Sequence, residues 1–409
     1  MKLALFKNRG FILLWIATLV STLCLSVSWI GESAYAIEVL RHQNDYGLIL
    51  MFGMLPRLIF MAVGGVFADI FSRKNIISSS LIVRSGLLLA LGTAIDFGLV
   101  TFGTMLALVF LYGILDACCW PARDAILMDI VDKSQLTQAN SILLMTGQAG
   151  TVSGFAIGGM LVAKLDFHAL FTLLGVVLCI STLLFLTFFP KQLEKTNLPT
   201  AKAKASFSLF ESELKEGIAY IKDHPQFSVL MAMFAVANLL FTGPLQQSVP
   251  LLAYKDLSGP SAFGSLWTFF SIGMGSGGIL MSIIAPQKKR FLIVVYMLIA
   301  ESIFLSLLAI ASSLVMGCVF MFIIGFCVAC NNIPTTSILQ HYSDQGKVGR
   351  VMGFNETISM GLMPVSYLAV SLLLNAGIGH KTILAVSGFI MLSVCVFMLA
   401  RFPVIRRTD

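Results

Sequence analysis

Charge is what this 409-residue chain has least of. Asp, Glu, Lys and Arg together make up 11% of it, where a soluble domain carries roughly 25%. That shortage excludes a domain dissolved in water. Histidine is scarce as well: His42, His168, His224, His341 and His380 lie far apart in sequence. They form no metal-ligand spacing, and no nucleophile elbow accompanies them. An enzyme, a metal and a cofactor are therefore not expected. The eight cysteines (Cys24, Cys118, Cys119, Cys179, Cys318, Cys327, Cys330, Cys395) all fall in or near apolar runs. None is in an outer loop, which excludes a disulfide framework. Cys327 and Cys330 have CxxC spacing but no nearby histidine, and read as small apolar packing residues.

What the chain does have is hydrophobic sequence, 57% of its residues. About 20 apolar residues span a bilayer as a helix. Twelve such segments stand out, at 10–39, 46–68, 76–97, 101–124, 139–163, 167–189, 226–253, 261–284, 291–311, 314–338, 350–376 and 380–402. In hydrocarbon only helices and closed barrels satisfy their backbone groups. These runs are too long for barrel strands, so the expected fold is an all-α membrane protein with twelve transmembrane helices. The first segment has basic residues before it and Ala34-Tyr35-Ala36 within it, as a secretory signal would. Its run is too long for a signal core and eleven more follow, so it reads as a retained helix.

The basic residues set the orientation. With the N-terminus inside, 21 of the 27 Lys and Arg face the cytoplasm. Arg41, Lys164, Lys255 and Lys381 face out, and Arg57 and Arg84 fall within helices. The positive-inside rule puts both termini in the cytoplasm. The net charge of +7 is mostly this topology signal, and nucleic-acid binding is not expected.

The second half of the chain repeats the first. Shifted so that Gly65 falls on Gly277, the two copies each continue into a basic turn: Ser72-Arg73-Lys74 and Gln287 to Arg290. The run 110–121, with Gly113 and Pro121, has a counterpart in 322–334, with Gly325 and Pro334. Two pseudo-symmetric six-helix halves follow, residues 1–189 and 226–409, with a substrate site expected between them near mid-membrane. Residues 190–225 form the polar connection. Leu209, Phe210, Leu214, Ile218 and Ile221 give it one apolar helical face, suited to lying on the cytoplasmic interface.

The densest cluster of signals is Gly64-Gly65-Val66-Phe67-Ala68-Asp69-Ile70-Phe71-Ser72-Arg73-Lys74, between the second and third runs. The glycines allow close helix approach, and the charges read as a latch that opens and closes. This stretch resembles the loop 2–3 signature of the major facilitator superfamily, with Ile70 and Ser72 where that family has Arg and Gly. The segments 121–127 and 214–225 resemble its macrolide-efflux and enterobactin-exporter-like branch. The exporter motif of the fifth helix is present as Gly154 to Gly159 without its proline, and Tyr112 stands where the fourth helix often has Arg. The resemblance implies a bacterial inner-membrane exporter driven by protons.

Charges inside a membrane are costly and are functional candidates by default. Glu32 in the first helix and Arg57 in the second, counted from their outer ends, lie at similar depth and read as a pair that is either structural or coupled to protons and substrate. Arg84 and Asp116 lie at one depth in the third and fourth helices and are expected to pair. Arg123 is expected to reach Asp69 and extend the latch of Gly65, Asp69, Arg73 and Lys74. Glu301 is mid-way along the ninth helix, with no partner evident. Asn238, Gln246, Gln247, Asn331, Asn332, Asn355 and Glu356 supply polar cavity candidates in the second half, although single amides in helices often bond a neighbouring helix.

These observations lead to a monomeric secondary transporter working by alternating access, proton-coupled and exporting an amphipathic small molecule such as a drug or siderophore. Its expected partners are that small-molecule substrate, protons and the lipid bilayer. Two alternatives stand beside it: import of an organic anion or siderophore, which Arg57 suits, and a receptor or scaffold that keeps the fold without transport.

Overall fold

A computed structural model describes residues 5–132, 135–189, 225–257, 259–286, 288–342 and 348–401. Within its helices the side chains of 61–70, 225–230, 341–342, 348–350, 353–354 and 356 fall outside the described set. A 3-10 turn at Leu5–Lys7 precedes twelve long helices, and no strand occurs among the described residues. The first six are α1 Arg9–Glu38, α2 Tyr46–Ile70, α3 Arg73–Asp96, α4 Phe102–Ile130, α5 Leu136–Lys164 and α6 Phe167–Phe188. The second six are α7 Pro225–Asp256, α8 Pro260–Ile284, α9 Arg290–Leu308, α10 Leu314–Tyr342, α11 Val348–Asn375 and α12 His380–Arg401. Among the described residues, nine of these are long and apolar enough to cross a membrane. The amphipathic helix expected at 190–225 lies almost wholly outside the described residues.

Sequence explains where the helices begin. The Asn8 carboxamide caps α1 by accepting from the Gly10 and Phe11 amides, and its Nδ2 donates to the Ile130 carbonyl at 2.6 Å. One side chain thus caps one helix and closes the free end of another. Thr101 and Thr104 form a reciprocal cap on α4, and Asp166 caps α6 through the Ala169 amide at 2.7 Å. α8 starts with Gly259 at φ +78° followed by Pro260 at its first position, a left-handed residue and a pre-set one in the order a helix start tolerates.

By its internal contacts the chain forms two compact units. The first is Met1–His42 with Phe52–Ser208, and the second is Gln43–Met51 with Leu209–Asp409, taken over their described residues. The first turns of α2 thus belong with the second unit. There the Asn44 Nδ2 donates to the Leu374 carbonyl at 3.3 Å, and Asn375 Nδ2 donates to Asp45 Oδ1 at 2.8 Å.

Small residues set the helix spacing in both units. Lipid tails are as apolar as leucine, so close backbone packing drives helix association. In the first unit Gly150, Gly154 and Gly158 form one stripe of α5. It lies against Thr22, Leu23, Ser26, Val27 and Ile30 of α1. The exporter-motif glycines read from the sequence are thus a packing surface here. Gly113 of α4 abuts the Gly53 carbonyl and Pro56 of α2. In the second unit Gly325 of α10 abuts the Phe270 carbonyl of α8, and Gly273 of α8 abuts the Phe322 carbonyl of α10. Gly113 and Gly325 are related by the same shift as Gly65 and Gly277, so equivalent glycines meet backbone of the equivalent helix in each unit, α2 and α8, at positions the shift does not align.

An added methyl at Gly325 falls on backbone, which cannot rotate away. Gly325→Ala should lower the stability of the detergent-purified protein by about 1–3 kcal/mol, the usual cost of overpacking. Gly275→Ala, where an added methyl meets nothing within 4 Å, should leave the melting temperature unchanged. Equal melting temperatures for the two variants would show that α8 and α10 are not held at contact distance by these glycines.

Candidate functional site

In the first unit α2, α3 and α4 each bring one charged residue to the same level. Arg57, Arg84 and Asp116 lie near the middle of their helices, and the helix ends at Ile70, Arg73 and Ile130 are on one side. At the helical rise all three stand about 16–21 Å in from that side. Asp116 is buried and accepts from both guanidinium groups, Oδ1 from Arg84 and Oδ2 from Arg57. Arg84 is buried with it, and its Nε is enclosed with no hydrogen-bond partner. Its guanidinium also lies 5.3 Å from the centre of the Tyr112 ring, within the range of a cation–π contact. Tyr112 occupies the place where the resemblance leads one to expect an arginine, and here it supports one from the neighbouring helix.

The sequence reading paired Arg84 with Asp116, and that contact is present. It also paired Arg57 with Glu32, and this needs correction. Arg57 goes to Asp116, while Glu32 Oε1 accepts from Ser28 Oγ one turn earlier in α1 at 2.7 Å. The physical reason is depth. Glu32 stands near the far end of α1, about 35 Å from Arg9 at the helical rise, well beyond the level of Arg57. Counting from outer ends hid this because the helices differ in length. Counting from the α2–α3 turn would have found the Arg57–Asp116 pair.

Next to this cluster an open cleft of about 560 Å³, counting its share of open solvent, lies among α1, α3 and α4. Leu14, Leu25, Ile77 and Leu81 give it an apolar wall; Thr18, Ser21 and Thr22 give a hydroxyl stripe along α1. Thr18 and Thr22 return their protons to carbonyls of their own helix at 2.8 and 2.9 Å, which leaves hydroxyl oxygens able to accept. Arg84, Asp116, Trp120 and Arg123 complete it. Arg123 sits 4.2 Å above the Trp120 ring and pairs with the exposed Asp124 at 3.0 Å. Trp120, Ser21 and Thr22 were not singled out from the sequence. A Trp one turn before an Arg in one helix is the signal that would have found the first.

The expected latch is only partly open to view. Arg73 Nη1 donates to Asp129 Oδ2 at 2.7 Å and to the Ala125 carbonyl at 2.9 Å, tying the start of α3 to the last turns of α4. The side chain of Asp69, and the surroundings of Gly65, lie outside the described set. The expectation that Arg123 extends the latch meets a different arrangement on Arg123's side, where Asp124 and Trp120 are the contacts. Asp129, unremarked in the sequence, is the acid that Arg73 holds.

In the second unit three of the amide candidates, Gln246, Gln247 and Asn331, bond to a neighbouring helix. Asn238 Nδ2 returns to the Phe234 carbonyl of its own helix at 3.0 Å. Gln247 Nε2 donates to the Tyr367 carbonyl at 2.8 Å and Gln247 Oε1 accepts from Ser371 at 3.0 Å, joining α7 to α11. Gln246 Oε1 accepts from the Tyr367 hydroxyl at 2.9 Å. Asn332 is exposed, and the Glu356 side chain lies outside the described set. Glu301, left without a partner by the sequence, is buried in α9 and accepts from Asn331 Nδ2 of α10 at 2.9 Å. The eight cysteines are free thiols, and no metal-capable cluster of acidic, His or Cys side chains occurs among the described residues.

Comparison with known proteins bears on the family and the fold. The family model of the Major Facilitator Superfamily matches residues 14–366. An uncharacterised MFS-type transporter, YkuC of Bacillus subtilis, is 23% identical over 407 residues, covering 98% of this chain and 94% of its own. The enterobactin exporter EntS of Escherichia coli is 23% identical over 369 residues, 86% of this chain and 82% of its own. The staphyloferrin A transporter of Staphylococcus aureus is 27% identical over 278 residues, 65% and 64% of the two chains. Among solved structures, the nucleoside transporter NupG superposes with a TM-score of 0.76 at 12% identity, covering 98% of this chain and 99% of that one. A peptide transporter POT does so at 0.76 and 14%, covering 98% and 96%.

Removing one partner of a buried ion pair strands the other, at a cost of about 3–5 kcal/mol. Asp116→Leu leaves the buried Arg84 without an anion and should destabilise by that order in denaturant or thermal unfolding. Arg84→Met added to it should recover part of the loss, since the cation then left is Arg57, which is partly exposed. Simple additivity in this double-mutant cycle would rule the coupling out.

Proposed function

The chain belongs to the major facilitator superfamily, and we propose that within it the protein is a proton-coupled exporter of an amphipathic small molecule, drug-like or siderophore-like. It works by alternating access as a monomer in the bacterial inner membrane, with both termini in the cytoplasm. The observation that carries this reading is the cleft of the first unit. An apolar wall, a hydroxyl stripe, an accessible indole and two guanidinium groups meet in one place. A molecule with a flat or greasy body and polar or acidic groups fits that chemistry. The relatives that transport enterobactin and staphyloferrin A point to the same substrate class.

The residues divide by role. Trp120 and Arg123 contact the substrate, and the hydroxyls of Ser21, Thr18 and Thr22 orient it. Asp116 with Arg57 and Arg84 holds the floor of the cleft and keeps a fixed charge pattern as the unit moves. Glu32, hydrogen-bonded by Ser28 of its own helix, loads and unloads a proton as its access to water changes. Gly65, Asp69, Arg73 and Lys74 form the cytoplasmic gate, with Arg73 docking on Asp129 when it is closed. A second reading, uptake of an organic anion, is favoured by the guanidinium groups of Arg84 and Arg123 that line the cleft. Direction of flux across proteoliposomes of known orientation separates it from export.

Glu32→Gln keeps the shape and mimics the protonated form. It should abolish accumulation driven by an imposed pH gradient in proteoliposomes, yet change substrate affinity by less than about tenfold, or 1.4 kcal/mol. A Glu32→Gln protein that still concentrates substrate would take Glu32 out of the mechanism.

Asp69→Asn should cut the transport rate at least several-fold with normal expression and an unchanged melting temperature. Transport at the wild-type rate would mean that the α2–α3 turn is no gate.

A further inference from the structure

Glu301 lies in the middle of α9, 3% exposed, inside the second unit. α9 packs on α10 and α12, with a lesser contact to α7. The titratable groups facing Glu301 from these helices are the thiols of Cys327 on α10 and Cys395 on α12. The only charged residues of α7 are Lys255 and Asp256, in its last turn. Beside Glu301 on its own helix, the Ser302 hydroxyl gives its proton to the Leu298 carbonyl at 2.6 Å. Among the described residues Glu301 receives one hydrogen bond, from Asn331 at 2.9 Å, and no Lys, Arg or His forms an ion pair with it. An ionised carboxylate in such a place is expensive, because neither water nor a cation offsets its charge.

Asn331 reports which form of the acid fits. Its Nδ2 donates to Glu301 Oε2, while Oδ1 of the same amide is buried with no donor. A carboxylate only accepts, so it satisfies the amide N–H and never the amide oxygen; a carboxylic acid also carries an O–H donor. The acid and the amide can then bond in both directions, N–H to carboxyl oxygen and O–H to amide oxygen. Turning the amide over strengthens the case. Its oxygen would then face a carboxyl oxygen at the same short distance, and only a proton between them makes that a bond. The orphan oxygen and the missing cation are separate observations with one resolution.

We propose that Glu301 and Asn331 form a proton-binding site in the second unit. Glu301 carries a proton in the conformation described here, and gives it to water as the pH is raised. Asn331 positions that proton and, after release, holds the carboxylate through Nδ2. No step here needs a partner beyond water, which takes the proton and leaves the charge on Glu301. The site goes beyond the role of Glu32 in export and does not rest on it.

The test is infrared spectroscopy of the purified wild-type protein in detergent across a pH series, read at the C=O stretch of protonated carboxyl groups. The wild type should show this band at neutral pH and lose it as the pH rises. Glu301→Gln, which keeps the shape and offers N–H donors to the Asn331 oxygen, should lack one carboxyl equivalent of that change. Should Glu301→Gln fail to fold, Asn331→Leu carries the test: the band should persist and move to higher frequency, since its hydrogen-bond partner is gone. Glu32→Gln should keep the Glu301 band, which separates failure of this site from failure of the transport reading. The proposal is overturned by a Glu301→Gln spectrum equal to the wild type. It is equally overturned by a Glu301 band that survives to the highest pH at which the protein stays folded, because that acid would be permanently neutral. A band that Asn331→Leu leaves unshifted would overturn the pairing.

Discussion

A carboxylate buried in an apolar medium must find cations, and Asp116 finds two. Arg57 and Arg84 reach it from separate helices, so one side chain ties α2, α3 and α4 at a single level. Coulombic attraction is strong where water is excluded, and so is the penalty for leaving any member of the set alone. This constraint shapes what surrounds it. With Asp116 engaged by both guanidiniums, Glu32 is left to a serine of its own helix. The cleft beside it therefore has a charged floor that is internally matched and a wall that is apolar.

The remaining polar side chains follow a different rule. In lipid a hydroxyl or amide must find a partner inside the protein, and the nearest one is often the carbonyl a turn earlier. Thr18, Thr22, Thr182, Ser302 and Asn238 all take that partner. Asn238, a cavity candidate in the sequence, thus donates within its own helix. Ser366 and Gln247 do otherwise and bond between α7 and α11: Ser366 Oγ donates to the Leu239 carbonyl at 2.6 Å and Gln247 Nε2 to the Tyr367 carbonyl at 2.8 Å. Gly243 N, one residue before Pro244, donates to the Ser366 hydroxyl at 2.8 Å.

The two units keep part of the same packing and differ in their charges. Under the shift that lays Gly65 on Gly277, Arg57, Arg84 and Asp116 fall on Phe269, Tyr296 and Val328. Glu301 and Asn331 in turn fall on Leu89 and Cys119. Each unit therefore buries its own acid at a position where the other has a neutral residue. Among the contact glycines, Gly31 and Gly113 fall on Gly243 and Gly325, whereas Gly150 and Gly158 of the α5 stripe fall on Leu362 and Val370. Buried charges are free to diverge, since replacing a whole charged set by apolar residues costs little.

The all-α class, the helix count and the repeat were determined by sequence alone. Each rests on hydropathy, length or spacing, which are local quantities set by the solvent the chain must satisfy. The Arg84–Asp116 pair was also legible, because both lie a similar count from the same side. What only tertiary structure decided was the choice among near-equivalent partners. Arg57 had Glu32 and Asp116 open to it, and helix length and depth gave it to Asp116. Arg73 had a nearby acid in Asp69, yet its described partner is Asp129, two helices' worth of chain away at the end of α4. Glu301 had no visible partner until α9 and α10 were laid side by side. A side chain reaches only a short way, so its partner is set by how neighbouring helices are offset along their axes. That offset comes from glycine contacts spread over the whole unit, which no local window of sequence contains.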